Sequence, residues 1–157
     1  MKLPPPVVFD CMIYAQALIS PHGPAAQCVE RMRRGELHLV WSDYVLREIR
    51  ELPPKIPPRF GLTPDRVDAF ILDIAPHVEY LNLVAEIYVN PFDPDDSHYV
   101  NLAVAAHATL ITSRDGDLLR LMELERPEAR EFHRRFPAIQ IVTPTELLAL
   151  LAGQPGA

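Results

Sequence analysis

The chain has 157 residues, 48% of them apolar and 23% charged, with a formal net charge of −6. This is the size and make-up of one soluble domain with a sizeable core, and it excludes disordered and membrane-spanning classes, since no apolar run approaches the roughly 20 residues of a transmembrane helix. The acidic balance argues against nonspecific adhesion to nucleic acid, which rests on Lys and Arg neutralising phosphates, although the arginines are grouped at Arg31, Arg33 and Arg34, at Arg47 and Arg50, and at Arg130, Arg134 and Arg135.

From the N-terminus, Pro4-Pro5-Pro6 stands where a secretory leader would carry its apolar core, so a cytoplasmic protein is expected. Cys11 and Cys28 form no CxxC pair and no zinc spacing, and reduced thiols are expected. Val7-Val8-Phe9 predicts a buried strand, and residues 12–18 a first helix. Pro21-His22-Gly23-Pro24 breaks the chain before a second helix over 25–34, closed by Gly35. Residues 37–41 predict the second strand, and Ser42 caps a helix to about Leu52, its hydroxyl accepting an orphan backbone N–H. The prolines of 53–58 predict a stiff loop. Thr63 then caps a helix with Pro64 at its first position, running to about Ile74. Residues 78–84 predict a third strand, 95–107 a helix with Val100, Ala103, Val104 and Ala108 on its apolar face, and 109–112 a fourth strand. Residues 117–136 read as mostly helical, 139–142 as a fifth strand, Thr143-Pro144 as the opening of a last short helix, and 153–157 as a frayed tail.

Strands that alternate with helices and are apolar throughout predict a single α/β domain over 1–157, its core at about 7–150. The expected architecture is a three-layer α/β/α sandwich on a mainly parallel sheet of about five strands. Ligands bind such sheets beyond the carboxyl ends of the strands. Asp10 directly follows the first strand and Asp115 follows the fourth, so both carboxylates rise at that edge, and Asp96 begins the helix leading back into the fourth strand. On the helix after Ser42, Val45, Ile49 and Leu52 define an apolar stripe with Glu48 on its margin and Arg47 and Arg50 opposite. A glutamate at a core boundary needs a partner, either a metal or an arginine. Alone, each acid has a plainer account: a turn at a strand end for Asp10, helix-dipole acids for Asp95, Asp96, Asp115 and Asp117, a salt bridge for Glu48. Together at one edge, Asp10, Glu48, Asp96 and Asp115 suggest a site for Mg²⁺ or Mn²⁺, which take oxygen ligands of this kind.

Taken as a set, Val7-Val8-Phe9-Asp10, residues 18–24, Ser42-Asp43-Tyr44-Val45-Leu46-Arg47-Glu48-Ile49, Asp93-Pro94-Asp95-Asp96, Thr112-Ser113-Arg114-Asp115-Gly116-Asp117-Leu118-Leu119 and Ile141-Val142-Thr143-Pro144 resemble the PIN-domain ribonucleases, in particular the toxin-like family of prokaryotic toxin–antitoxin systems. The resemblance spans about Val7 to Leu147. It implies metal-dependent hydrolysis of phosphodiester bonds in single-stranded RNA, with Asp10, Glu48, Asp96 and Asp115 as catalytic and metal-binding acids and Asp117 as a further metal ligand. It also implies an antitoxin partner and a homodimer. Thr112, Ser113 and Arg114 are candidates for contact with the acids or the substrate. Cys11 and Met12 stand where the family carries a small polar residue and an asparagine, and Arg114 where it often has glycine.

Two other readings compete. A phosphatase with Asp10 as aspartyl nucleophile calls for a second aspartate two residues on, where Met12 stands. A catalytically degenerate PIN domain would bind RNA or protein without cutting. Cys11 lacks the arginine of a phosphatase loop, His98 is the histidine nearest the acids, and Trp41 and Tyr44 are expected to pack in the core.

Overall fold

The computed structural model describes residues 4–153; the sequence readings on residues 1–3 and on the tail at 154–157 lie outside the described residues. β1 (Pro6–Phe9) is followed by α1 (Cys11–Ile19) and α2 (Pro24–Arg33), then β2 (His38–Trp41), α3 (Asp43–Arg50), α4 (Pro64–Ile74) and β3 (Val78–Tyr80). After an irregular stretch come α5 (Ser97–Ala105), β4 (Leu110–Thr112), α6 (Gly116–Leu119), α7 (Pro127–Arg135), β5 (Gln140–Val142) and α8 (Pro144–Ala152). Short 3₁₀ turns at Pro53–Lys55 and Pro58–Phe60 account for the proline-rich loop. The five strands form one sheet in the order β3-β2-β1-β4-β5, every pair parallel, within the expected α/β/α sandwich.

The register places Val7 beside Leu39 and Leu110, and Phe9 beside Thr112. Every residue of β1 after Pro6 is buried, which is why the strands read as continuous apolar runs rather than alternating ones. The chain moves outward from β1 to β3, then returns to lay β4 on the other side of β1. The β1–β4 boundary is thus the point where the order reverses, and a cleft opens beyond such a point.

One element is shorter than the sequence suggests. The third strand stops at Tyr80, not residue 84, because β3 is an edge strand paired only with β2, and β2 ends at Trp41. The bond from Leu81 N–H to Trp41 O (2.9 Å) is the last the sheet offers. The region 117–136 is mostly helical, as expected, but in separate pieces. After α6 and a 3₁₀ turn at Arg120–Met122 the chain opens, because Pro127 starts a new helix and Arg126 before it is extended (φ −90°, ψ 137°).

Caps are where the hydroxyls predict them. Ser42 Oγ accepts from Val45 N–H (3.3 Å) and Thr63 Oγ1 from Arg66 N–H (3.2 Å), while Thr143 and Glu146 complete a reciprocal capping box on α8. Of the C-terminal apolar residues, Leu121 and Leu147 are buried, Leu119, Met122 and Leu148 pack against the core, and Leu150 is exposed. Trp41 lies in the core as expected, its indole N–H donating to Tyr14 Oη (2.9 Å), both side chains shut away from solvent. Removing the acceptor leaves a buried N–H unsatisfied. Tyr14→Phe is expected to cost about 1–3 kcal/mol in urea denaturation followed by Trp41 fluorescence, and an unchanged midpoint would show that water replaces the bond.

Candidate metal centre

Asp10 leaves the sheet with its N–H bonded to Thr112 O (3.0 Å) and caps α1, its Oδ1 accepting from Met12 N–H (2.9 Å). Its Oδ2 accepts a short bond from Ser113 Oγ (2.6 Å), and the same hydroxyl oxygen accepts from Asp115 N–H (2.9 Å). One fully buried serine therefore ties the end of β1 to the turn after β4. Asp115 in turn caps α6, its Oδ1 accepting from Asp117 N–H (2.8 Å).

Asp93 and Asp96 arrive from the turn before α5. Asp93 Oδ1 accepts from Asp95 N–H (3.0 Å), and the 3₁₀ turn Pro94–Asp96 carries Asp96 round one turn later. Carboxylate oxygens of Asp93, Asp96, Asp115 and Asp117 all lie within 4.8 Å of one another. Asp10 and Glu48 line the same cleft as Asp96 and Asp115, a space of about 310 Å³ also walled by Met12, Gln16, Tyr99 and Arg114. Asp117 is paired with Arg120, whose guanidinium also lies 5.9 Å from the Phe92 ring.

Glu48 sits half-buried on the margin of the Val45–Ile49–Leu52 stripe. Its protein partners are Tyr99 and His98, not an arginine. Tyr99 donates its hydroxyl to Glu48 Oε1 (3.0 Å), and the same phenol oxygen accepts Cys11 N–H (3.1 Å). His98 Nε2 lies 2.6 Å from Glu48 Oε1, a close ionic contact when the ring is protonated but out of line for a good hydrogen bond. Burial holds the Tyr99 hydroxyl protonated well above its ordinary range, so it remains a donor to Glu48.

Crowding shows in the titration of the acids. Burial, then the charges of Asp115 and Asp93, raises Asp96 to about 8. Burial likewise raises Asp10, opposed by the bonds from Ser113 and Met12 and reinforced by Asp115 and Glu48. Asp96 Oδ2 is itself buried with no hydrogen-bond donor. An all-oxygen ring of four aspartates containing an orphaned buried oxygen is the donor set that a hard divalent cation satisfies. Burial pushes the Cys11 thiol up to about 12, which removes it as a nucleophile.

Asp10, Glu48, Asp96 and Asp115 thus share one cleft, and Asp117 lies in the carboxylate ring with Asp96, Asp115 and an acid not expected from sequence, Asp93. It was legible in Asp93-Pro94-Asp95-Asp96, where a spacing of three brings two side chains together on a tight turn. Tyr99 had no signal beyond its place one turn into a helix that starts at the site. Thr112 and Ser113 are wholly buried, and of the two contacts the sequence left open to Ser113, the acids or the substrate, the fold shows that with the acid Asp10. Arg114 is exposed at the cleft wall.

A sheet reversing at β1–β4 with aspartates gathered above it defines a class of nuclease-type, metal-binding α/β domains. The family model for the PIN domain matches residues 6–117, most of the chain, and this protein belongs to the PIN-domain family. No curated protein matches it.

The raised Asp96 pKa has a consequence for stability. Near its unfolded value of 3.8 and below, the carboxyl is protonated in both states; as pH rises toward 8 the unfolded chain ionises it freely while the folded chain resists. The stabilisation is present at low pH and is lost over that window. In chelator, Asp96→Asn is expected to be about 1–2 kcal/mol more stable than wild type at pH 8, after allowance for partial solvent screening, and about equal at pH 4. Denaturant titrations at both pH values measure it, and equal stability at pH 8 would mean that the acids do not strain the fold.

Proposed function

We propose that this protein is a Mg²⁺- or Mn²⁺-dependent endoribonuclease that hydrolyses single-stranded RNA, and that it is the toxin of a toxin–antitoxin pair. The observation carrying the catalytic part is the ring of Asp93, Asp96, Asp115 and Asp117 with its orphaned Asp96 oxygen. The RNA and toxin parts rest on the likeness of the quoted motifs to the toxin-like PIN proteins, as do an antitoxin partner and a homodimer.

Asp93, Asp96, Asp115 and Asp117 would hold the ion, with Asp10 beside them. A divalent ion bound there supplies positive charge for the phosphate and lowers the pKa of water. The protein's own groups do the rest. Ser113 fixes the Asp10 carboxylate, and Asp10 fixes the first turn of α1. Glu48, held by the Tyr99 hydroxyl, lines the cleft and is the carboxylate that would orient a water or take its proton. Arg114 reaches the cleft as a cation for the phosphate. Met12, 38% exposed on the cleft wall, offers no polar atom there, which is the observation favouring the second reading of a PIN domain that binds RNA or protein without cutting it.

Calorimetric Mn²⁺ titration beside an RNA-cleavage assay decides between them. Wild type is expected to bind and cleave, and Asp96→Asn with Asp115→Asn to lose both. Binding without cleavage would favour the non-cutting reading, and absence of binding at millimolar Mn²⁺ would end the metal reading.

Ser113→Ala removes the donor to Asp10 and the acceptor of Asp115 N–H together. It is expected to weaken Mn²⁺ binding about 10- to 100-fold, and an unchanged affinity would show that neither acid needs such support. The toxin role predicts growth arrest on expression that Asp96→Asn relieves.

A further inference from the structure

A second cavity, about 610 Å³, adjoins the acidic cleft and shares Glu48 and the Asp95 turn with it. Its wall carries Tyr44, Arg47, Lys55 and His98. Sequence reasoning assigned Tyr44 to the core, but it is 53% exposed, on the opening turn of α3. Its ring is stacked on His98 (centroids 5.6 Å apart, planes at 27°), and His98 in turn lies against Tyr99 (4.0 Å). The Arg47 guanidinium stands 5.5 Å from the Tyr44 centroid. Arg47 makes no ion pair among the described residues. The outer ring of this stack, Tyr44, stands exposed beside that cation and next to the acidic cleft, and buries too little to be there for stability.

We propose that the Tyr44–His98 stack, with Arg47, is the platform for a nucleobase flanking the phosphate that is cut. This rests on the ribonuclease reading and specifies where its substrate lies. Base–aromatic stacking needs an exposed π-face and tolerates any base, and arginine planes add to it. The charge pattern sorts the parts of a nucleotide. The acids of this groove, Glu51, Glu86 and Asp95, repel a phosphate but accept hydrogen bonds from base amino and imino groups. The phosphate belongs in the neighbouring aspartate ring, once metal neutralises it. Glu48 lines both compartments, and its neighbour His98 stacks under Tyr44. Base and scissile phosphate therefore sit on opposite sides of one glutamate.

The test is steady-state cleavage of a mixed-sequence single-stranded RNA oligonucleotide with Mn²⁺, by wild type, Tyr44→Ala and Tyr44→Phe. Tyr44 is exposed, so the fold tolerates the truncation. Tyr44→Ala is expected to raise KM about 5- to 100-fold with kcat nearly unchanged, and Tyr44→Phe to recover most of the loss. Replacing one nucleotide beside the cut by an abasic ribose is expected to reproduce the loss in wild type and to add nothing in Tyr44→Ala. An unchanged KM, a fall in kcat alone, or additive effects of variant and abasic site would each overturn the platform and leave the ribonuclease reading standing. Absence of cleavage by wild type would remove the ribonuclease reading itself, and the platform with it.

Discussion

Carboxylates repel one another, and this fold brings several of them together at the edge where its sheet reverses direction. The crowding is enforced from below by bonds that the acids themselves complete. Asp10 and Asp115 are both helix caps, and both depend on the buried Ser113 hydroxyl for their placement. Folding the backbone therefore concentrates negative charge as a by-product of capping its own helices. A carboxylate that serves as a cap can be moved only by undoing a helix start, which makes the arrangement rigid before any ion arrives.

The rest of the cleft follows from that constraint. Burial and mutual charge raise Asp96 and Asp10, and a cation among them would relieve that strain. Glu48 is held by the Tyr99 phenol. Tyr99 links it to the backbone of α1 through Cys11 N–H. One hydroxyl thus relates the position of α3 to that of α1 across the site.

The sheet, its parallel sense and most helix starts were legible in the sequence, because unbroken apolar runs, hydroxyl caps and Pro64 at a first helical position act locally. Asp10 and Asp115 were legible for the same reason: each follows its strand within a few residues. What was not legible depended on contacts between distant segments. The third strand read too long, since nothing in residues 81–84 announces that β2 runs out beside them. The partners of Glu48 lie about fifty residues away on α5, and Tyr44 looked like core because an aromatic at a strand end usually is. Its exposure is set by what α5 presents to it, a fact no local window contains.

The early end of β3 has a bearing on how this domain can vary. Beyond Leu81 the chain crosses to the aspartate turn without sheet partners, and Leu83 is almost fully exposed. Yet the far half of that crossing is buckled down: Asn101 Oδ1 accepts the N–H groups of Ile87 and Tyr88, Ser97 Oγ accepts Asn90 N–H, and Asn90 Nδ2 donates to Asp117 O. The registration of Asp93 and Asp96 is therefore taken from α5 and α6, not from the strand that precedes them. Asn82 and Leu83 are exposed upstream of the buckle, where the chain can lengthen without transmitting the change to the acids.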